Sequence, residues 1–326
     1  MNNTRAFGGY RFWGLRLLVL SALGMLGLLG LAASGVTAQT AGQSDLETAV
    51  VEEVLGQKTA RSAAESFGFS SAERREKTQT NVQRTSEDGN WAFGTAIVEA
   101  PKKEGAYPQG WLFVAEKTSG AWRVGLQGSD AFSDLTQDAP AQVMEESEKE
   151  LLTGSAAESR GFQATSTRLR LPWKRGLAWK MSGGPHGWAT GYDRPYSALD
   201  LNGRGGKVRS AGAGRVYKMC GSADGWLRVY HYNGYSTDYY HLRHNIKPRD
   251  GRRIKAGTYL GLTGQTTCGG GAAYGNHVHF ALLRGSRHVA LDNKTLSGWT
   301  FQQGKAYYGH AKRNTIRRYA GDLLRH

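Results

Sequence analysis

Five residues in the second half of the chain have the types and spacing to do chemistry together. His277-Val278-His279 is an H-x-H run with apolar neighbours. On a strand, alternate residues share a face, so both imidazoles point one way while Val278 and Phe280 point the other. An H-x-H by itself is weak, since a satisfied core histidine is the ordinary alternative. Asp200 stands between Leu199 and Leu201 on an expected strand, and a buried acid needs a cation or several donors. His186 lies in the glycine-bearing stretch 183–191, expected as a loop where an imidazole has little packing to do. His186, Asp200 and His279 make a two-histidine, one-carboxylate set with one position open for water. That is the donor set of a catalytic zinc rather than a structural one. His241, in Tyr239-Tyr240-His241-Leu242, is a further candidate on another strand-like stretch. The chain has no H-E-x-x-H, so no glutamate base of that type is at hand. Within the H-x-H, one histidine can bind a metal while its neighbour acts on substrate, which suits imidazole near neutral pH.

These residues need a rigid scaffold, and the sequence indicates a β one. Residues 212–219, 226–232, 236–241, 259–262 and 277–283 alternate apolar and polar side chains between glycine-rich turns. That pattern predicts an antiparallel β domain over 166–326. The stretch 39–165 differs. Residues 44–56 carry Leu46, Val50, Val51, Val54 and Leu55 at helical spacing behind Ser44, a candidate N-cap. Three strand-like runs follow at Trp91–Val98, 110–115 and Ala121–Leu126, and residues 145–150 form an acidic helical patch. Residues 71–90 are polar, with little to bury. This part reads as a small α+β domain, and it contains no His or Cys.

Charge divides at the same boundary. Residues 39–165 hold 12 Lys and Arg against 20 Asp and Glu, whereas residues 166–326 hold 27 against 7. All nine histidines lie at or after His186. The plain reading of the acidic segment is a spacer or generic binding domain; its basic neighbour favours a prosegment that shields an enzyme, by an attraction between exposed charges that salt should weaken. The basic half suits anionic polymers. Its aromatic residues form no RNA-binding motif, so nucleic acid is not an expected partner.

Arg5, Arg11 and Arg16 precede the apolar run 17–31, and Val36-Thr37-Ala38 supplies short residues before a cut. This is the pattern of a secretory signal peptide over 1–38, cleaved after Ala38, which leaves no stable membrane span. An uncleaved anchor is the alternative. Export exposes Cys220 and Cys268 to an oxidising environment, where they either pair or remain two buried thiols.

Taken together, His186 with Asp200, Tyr239-Tyr240-His241-Leu242 and His277-Val278-His279-Phe280 resemble the beta-lytic and staphylolysin branch of the lysostaphin-type zinc endopeptidases. The similarity extends through Leu171-Pro172-Trp173, Pro195-Tyr196-Ser197, Asn233-Gly234-Tyr235-Ser236-Thr237, Leu282-Leu283-Arg284 and Leu296-Ser297-Gly298, roughly 169–304. The resemblance implies one Zn2+ per catalytic domain, held by His186, Asp200 and His279. It implies His241 and His277 as the catalytic pair, and a disulfide between Cys220 and Cys268. It also implies secretion and hydrolysis, at glycine, of stem or cross-bridge peptides of peptidoglycan. There are departures. Asn276 stands where these relatives usually have Pro, a second cysteine pair is absent, and Trp299 stands about where close relatives carry a Tyr. Tyr240 is then the expected substitute donor for the oxyanion. The competing reading is a non-catalytic domain of the same fold that binds wall or activates another hydrolase.

Overall fold

A computed structural model describes residues 33–154 and 165–326. The chain divides into two compact units, Met1–Gly42 and Gln43–His326, and the second holds every strand among the described residues. The apolar run 17–31 of the expected leader lies outside the described residues. The expected cut after Ala38 falls within the helix Ala33–Gly56. No helix among the described residues is long and apolar enough to cross a membrane.

In the acidic part, Leu46, Val50 and Val54 are buried at four-residue spacing along that helix. One helical face therefore packs on a sheet. Ala92, Ala96, Trp111 and Phe113 of the sheet belong to the same cluster. The sheet is antiparallel, in the order Thr78–Thr85, Trp91–Val98, Gln109–Thr118 and Ala121–Leu126. The stretch 71–90, polar with little to bury, forms the helix Ser71–Glu76 and the edge strand Thr78–Thr85. The helix has a capping box, in which Ser70 and Glu73 satisfy each other's backbone N–H groups. The strand takes its hydrogen bonds from one neighbour and leaves most of its side chains partly exposed, so no hydrophobic alternation marks it.

The basic part is built on an antiparallel sheet. Its main path runs Arg252–Ile254, Gly214–Lys218, Leu227–His231, Tyr235–Arg243, Val278–Arg284, Ala198–Asn202, Ala178–His186 and Leu323–Arg325. A second sheet carries Ser166–Leu169, Thr295–Leu296, Trp299–Gln302, His310–Arg313 and Ile316–Tyr319. Alternation divides the residues of the main sheet between two apolar clusters. Leu199, Leu201, Tyr239, Phe280 and Leu282 join Trp173, Trp299 and Phe301 in one. Ala198, Tyr240, Ala281 and Leu283 join the other, which also contains Phe93, Ile97, Leu112, Phe132 and Leu135 from the acidic part. The acidic part therefore covers the sheet face that carries the even-numbered residue Asp200 and the odd-numbered residue His279.

That contact is not the exposed-charge attraction the sequence suggests. Its centre is the shared apolar cluster, beside which Glu148 is buried with Arg84 of the same part and meets Tyr217 of the basic part, while the Glu145 partner of Arg215 is exposed. Glu148, buried, accepts two hydrogen bonds from Arg84 at 2.8 and 2.7 Å and one from the Tyr217 hydroxyl at 2.7 Å. Arg215 donates to Glu145 and Ser147 at 2.8 and 2.7 Å. Apolar burial is not screened by salt as exposed charges are, so the association should resist ionic strength. Removing one partner strands the other charge, so Glu148→Ala should cost about 3–5 kcal/mol in urea denaturation. A loss below about 1 kcal/mol would show that Arg84 and Tyr217 find water or new partners.

His231 accounts for a histidine that belongs to no site. Its ring faces Ala213 O at 3.2 Å and the Thr237 hydroxyl at 2.8 Å, wholly enclosed. Burial pulls its pKa down to about 4. The unfolded chain takes up this proton below about pH 6.5 while the folded chain does not. Stability is therefore lost as pH falls from about 6.5 to about 4, by about 3 kcal/mol for this group. His231→Gln should flatten the fall in urea midpoint over that window by one proton's worth. An unchanged slope would remove His231 from the acid response.

Candidate metal and catalytic centre

Three neighbouring antiparallel strands bring the expected donor set together. Asp200 lies on Ala198–Asn202, the middle strand of the three. It pairs with His279 on one side, while His186 ends the strand on the other side and pairs with Ala198. His186 is thus a buried strand terminus rather than the loop residue the sequence suggests, because its backbone continues the ladder from Ala178. Its strand bends at register shifts between Met181 and His186, which carries the imidazole to the carboxylate. Gly183 makes room, since a Cβ there would sit 2.7 Å from Asp200 Oδ2.

The donor atoms are close. His279 Nδ1 is 2.9 Å from Asp200 Oδ1, His186 Nε2 is 3.3 Å from His279 Nδ1, and His186 Nε2 is 3.7 Å from Asp200 Oδ1. A tetrahedral ion with donors at about 2.0–2.1 Å needs donor–donor edges of about 3.3–3.4 Å. The three edges scatter around that value, so the residues fit a zinc-sized ion. The tautomers suit as well. His186 Nδ1–H donates to Gly184 O at 2.7 Å, which turns the lone pair of Nε2 into the cluster. These three residues are the one group of His, Cys, Asp and Glu among the described residues with metal-binding spacing.

His277 and His241 stand beside them. His277 Nε2 lies 3.6 Å from Asp200 Oδ1, and its Nδ1 faces Gly275 O at 3.0 Å. His241 Nδ1 faces Thr266 O at 3.1 Å, and its ring centroid is 4.8 Å from that of His277. With each Nδ1–H spent on a carbonyl, each Nε2 is an available base. Both Nε2 atoms are buried without a hydrogen-bond partner. His241 has φ +66°, and the register of its strand shifts there. A left-handed φ is uncommon in a residue other than glycine, and here it coincides with the bulge that redirects the strand.

Electrostatics keep the set ready for a cation. Burial alone would raise the Asp200 carboxyl, but His186, His277 and His279 outweigh it and hold the group well below the usual carboxylate range. Burial lowers His279 to about 4 and also lowers His186, in both cases against the pull of Asp200. Burial, aided by His277 and His279, holds His241 well below its ordinary value. At neutral pH the donor set is thus one carboxylate and two neutral imidazoles, the protonation state metal ligands require.

Other expected residues fall differently. Tyr240 is not a free donor, because its hydroxyl lies 2.6 Å from Cys268 O and 2.7 Å from Gly270 O. Trp299 is far from this chemistry. It is buried in the opposite cluster and donates its indole N–H to Arg325 O at 2.9 Å. One hydroxyl-bearing ring at the site is Tyr307, stacked on His186 at 4.0 Å, in Ala306-Tyr307-Tyr308-Gly309. Sequence reasoning missed it because two adjacent tyrosines between small residues carry no spacing signal. Tyr107 was missed for another reason: it belongs to the acidic part, yet its ring lies flat on His279 at 3.6 Å and 7°. Cys220 and Cys268 are disulfide-bonded, at a sequence separation of 48.

Residues 194–291 match Peptidase family M23. The chain therefore carries a Peptidase family M23 domain. It is 31% identical over 189 residues to Protease LasA of Pseudomonas aeruginosa, covering 52% of this chain and 42% of that protein. It is 28% identical over 145 residues to Beta-lytic metalloendopeptidase of Achromobacter lyticus, covering 40% of this chain and 37% of the relative. The chain thus spans less than half the length of the curated relatives it matches. Among solved structures, the M23 metalloprotease pseudoalterin is 30% identical, with 48% of this chain and 98% of that chain covered and a TM-score of 0.43.

Proposed function

We propose that the chain is a secreted zinc metalloendopeptidase that hydrolyses peptide bonds, at glycine, in the stem or cross-bridge peptides of peptidoglycan. The observation that carries this reading is the junction of His186, Asp200 and His279 at zinc-sized spacing, with two further imidazoles presenting unpartnered Nε2 atoms to the same space. The match to Peptidase family M23 supports the reaction class. The names of the relatives, a protease and a metalloendopeptidase, support an endopeptidase.

A zinc ion held by His186, Asp200 and His279 supplies Lewis acidity for the scissile carbonyl and lowers the pKa of the attacking water. The chain's own residues do the rest. Asp200 contributes the single carboxylate and with it a net charge that favours a dication. His241 and His277, each fixed by a carbonyl at Nδ1, accept and return protons through Nε2. Burial and the neighbouring imidazoles keep His241 unprotonated at neutral pH, which leaves its Nε2 lone pair open. Tyr307 packs His186 in place. The acidic part acts as a prosegment over the same sheet face, and the basic part meets anionic wall polymers once that segment leaves.

Mass spectrometry of fragments released from purified peptidoglycan tests this directly. New glycine-terminated peptide ends should appear, disappear with a zinc chelator and return with zinc. Intact peptides with cut glycan, or release that a chelator does not affect, would contradict it.

A further inference from the structure

Resting on the peptidase reading, one contact says how a peptide reaches the histidines. Gly270–Ala272 pairs in parallel with Ala100–Glu104 of the acidic part, a two-stranded sheet between the two parts of the chain. Ala100 N–H donates to Gly269 O at 2.8 Å. Across from this edge, Tyr107 N–H donates to Ala189 O at 2.9 Å, and the Trp188 indole donates to Pro108 O at 2.7 Å. Residues 100–108 are therefore held on both sides through backbone groups, which do not discriminate sequence.

The edge admits only close backbone. Gly269, Gly270 and Gly271 have φ of +77°, +94° and +78°, a run that side-chain-bearing residues rarely adopt. A Cβ at Gly270 would lie 1.9 Å from Ala100 O, and one at Gly271 would lie 2.3 Å from Ala106 O. The occupying segment is small where it approaches closest, at Ala100, Gly105 and Ala106. A Cβ on Gly105 would be 3.3 Å from the Tyr307 hydroxyl and 3.5 Å from Thr190 O. At the end of this run, the Tyr107 ring covers His279 and stands edge-on to His241 at 5.6 Å.

We propose that residues 269–272 are the track for the backbone of the peptide to be cleaved, and that residues 100–107 fill that track in the uncleaved chain. The ligand class is an extended peptide with glycine or alanine at successive positions, captured as an added β-strand. Tyr107 is the stopper, because its ring lies on the metal-binding histidine where a substrate residue would have to come. The acidic part thus blocks the centre by a substrate-like strand rather than by charge.

Hydrogen exchange on the full chain, read over residues 100–107 and 269–272, tests this. In the parent chain both segments should stay protected, with or without millimolar hexaglycine. In Tyr107→Ala both should exchange at least tenfold faster, and hexaglycine should restore at least fivefold protection over 269–272 alone. Tyr107→Leu, which keeps apolar volume but removes the ring stack, serves if the alanine variant does not fold. Tyr107→Phe keeps the ring and should behave as the parent. Unchanged exchange in the alanine and leucine variants would overturn the stopper. Faster exchange that hexaglycine does not reverse would overturn the track. Neither readout needs turnover, so a chain that binds hexaglycine at this edge but never cuts it would count against the peptidase reading alone.

Discussion

Asp200→Ala and His279→Ala are each expected to abolish zinc retention and to lower wall-peptide hydrolysis at least about 10³-fold, since each removes one of only three protein donors. Asp200 should be the more severe. It is the sole carboxylate of the set, paired by register with His279 and within 3.7 Å of His186 and 3.6 Å of His277. Without it the remaining donors are two neutral imidazoles, which bring no negative charge to a dication. Metal content after dialysis, measured by atomic emission beside single-turnover hydrolysis, checks this. Stoichiometric zinc in either variant would show that the ligand assignment is wrong.

His241→Ala and His277→Ala should separate binding from proton transfer. Both should keep zinc, because neither ring completes the three-donor set, while kcat falls at least about 10²-fold, the scale of a positioned acid or base. The geometry makes the two distinguishable. His277 faces Asp200 and should affect zinc affinity slightly, whereas His241 is anchored only by Thr266 O and should leave it unchanged. Near-normal kcat in either variant would remove that residue from the proton path. Loss of zinc in His241→Ala would instead make it a ligand.

Much of this centre was legible in the sequence because strands write their geometry into alternation. Leu199-Asp200-Leu201 and Val278-His279-Phe280 each place a polar side chain against two buried apolar ones, and the two runs lie side by side as antiparallel partners. Trp91–Val98 and Ala121–Leu126 form over the residues their patterns indicate. What was illegible depends on contacts distant in sequence. His186 reads as a loop residue because its glycines and proline hide a bent strand end. Tyr307 and Tyr107 reach the site from stretches with no periodic signal, and only the fold brings either to a histidine. Trp299 drew attention by its place in a similarity, but its indole serves the core on the opposite sheet face. Charge asymmetry pointed to association of the two halves. It did not reveal that an apolar cluster and the buried Glu148 make the contact.

The most direct measurement is anomalous diffraction at the zinc edge from crystals of the zinc-loaded full chain. One strong peak is expected, within bonding distance of His186 Nε2, Asp200 Oδ1 and His279 Nδ1. The peak should be absent below the edge and absent in His279→Ala. A peak elsewhere in the molecule, or a fully occupied peak bonded through His241 instead of this set, would contradict the assignment.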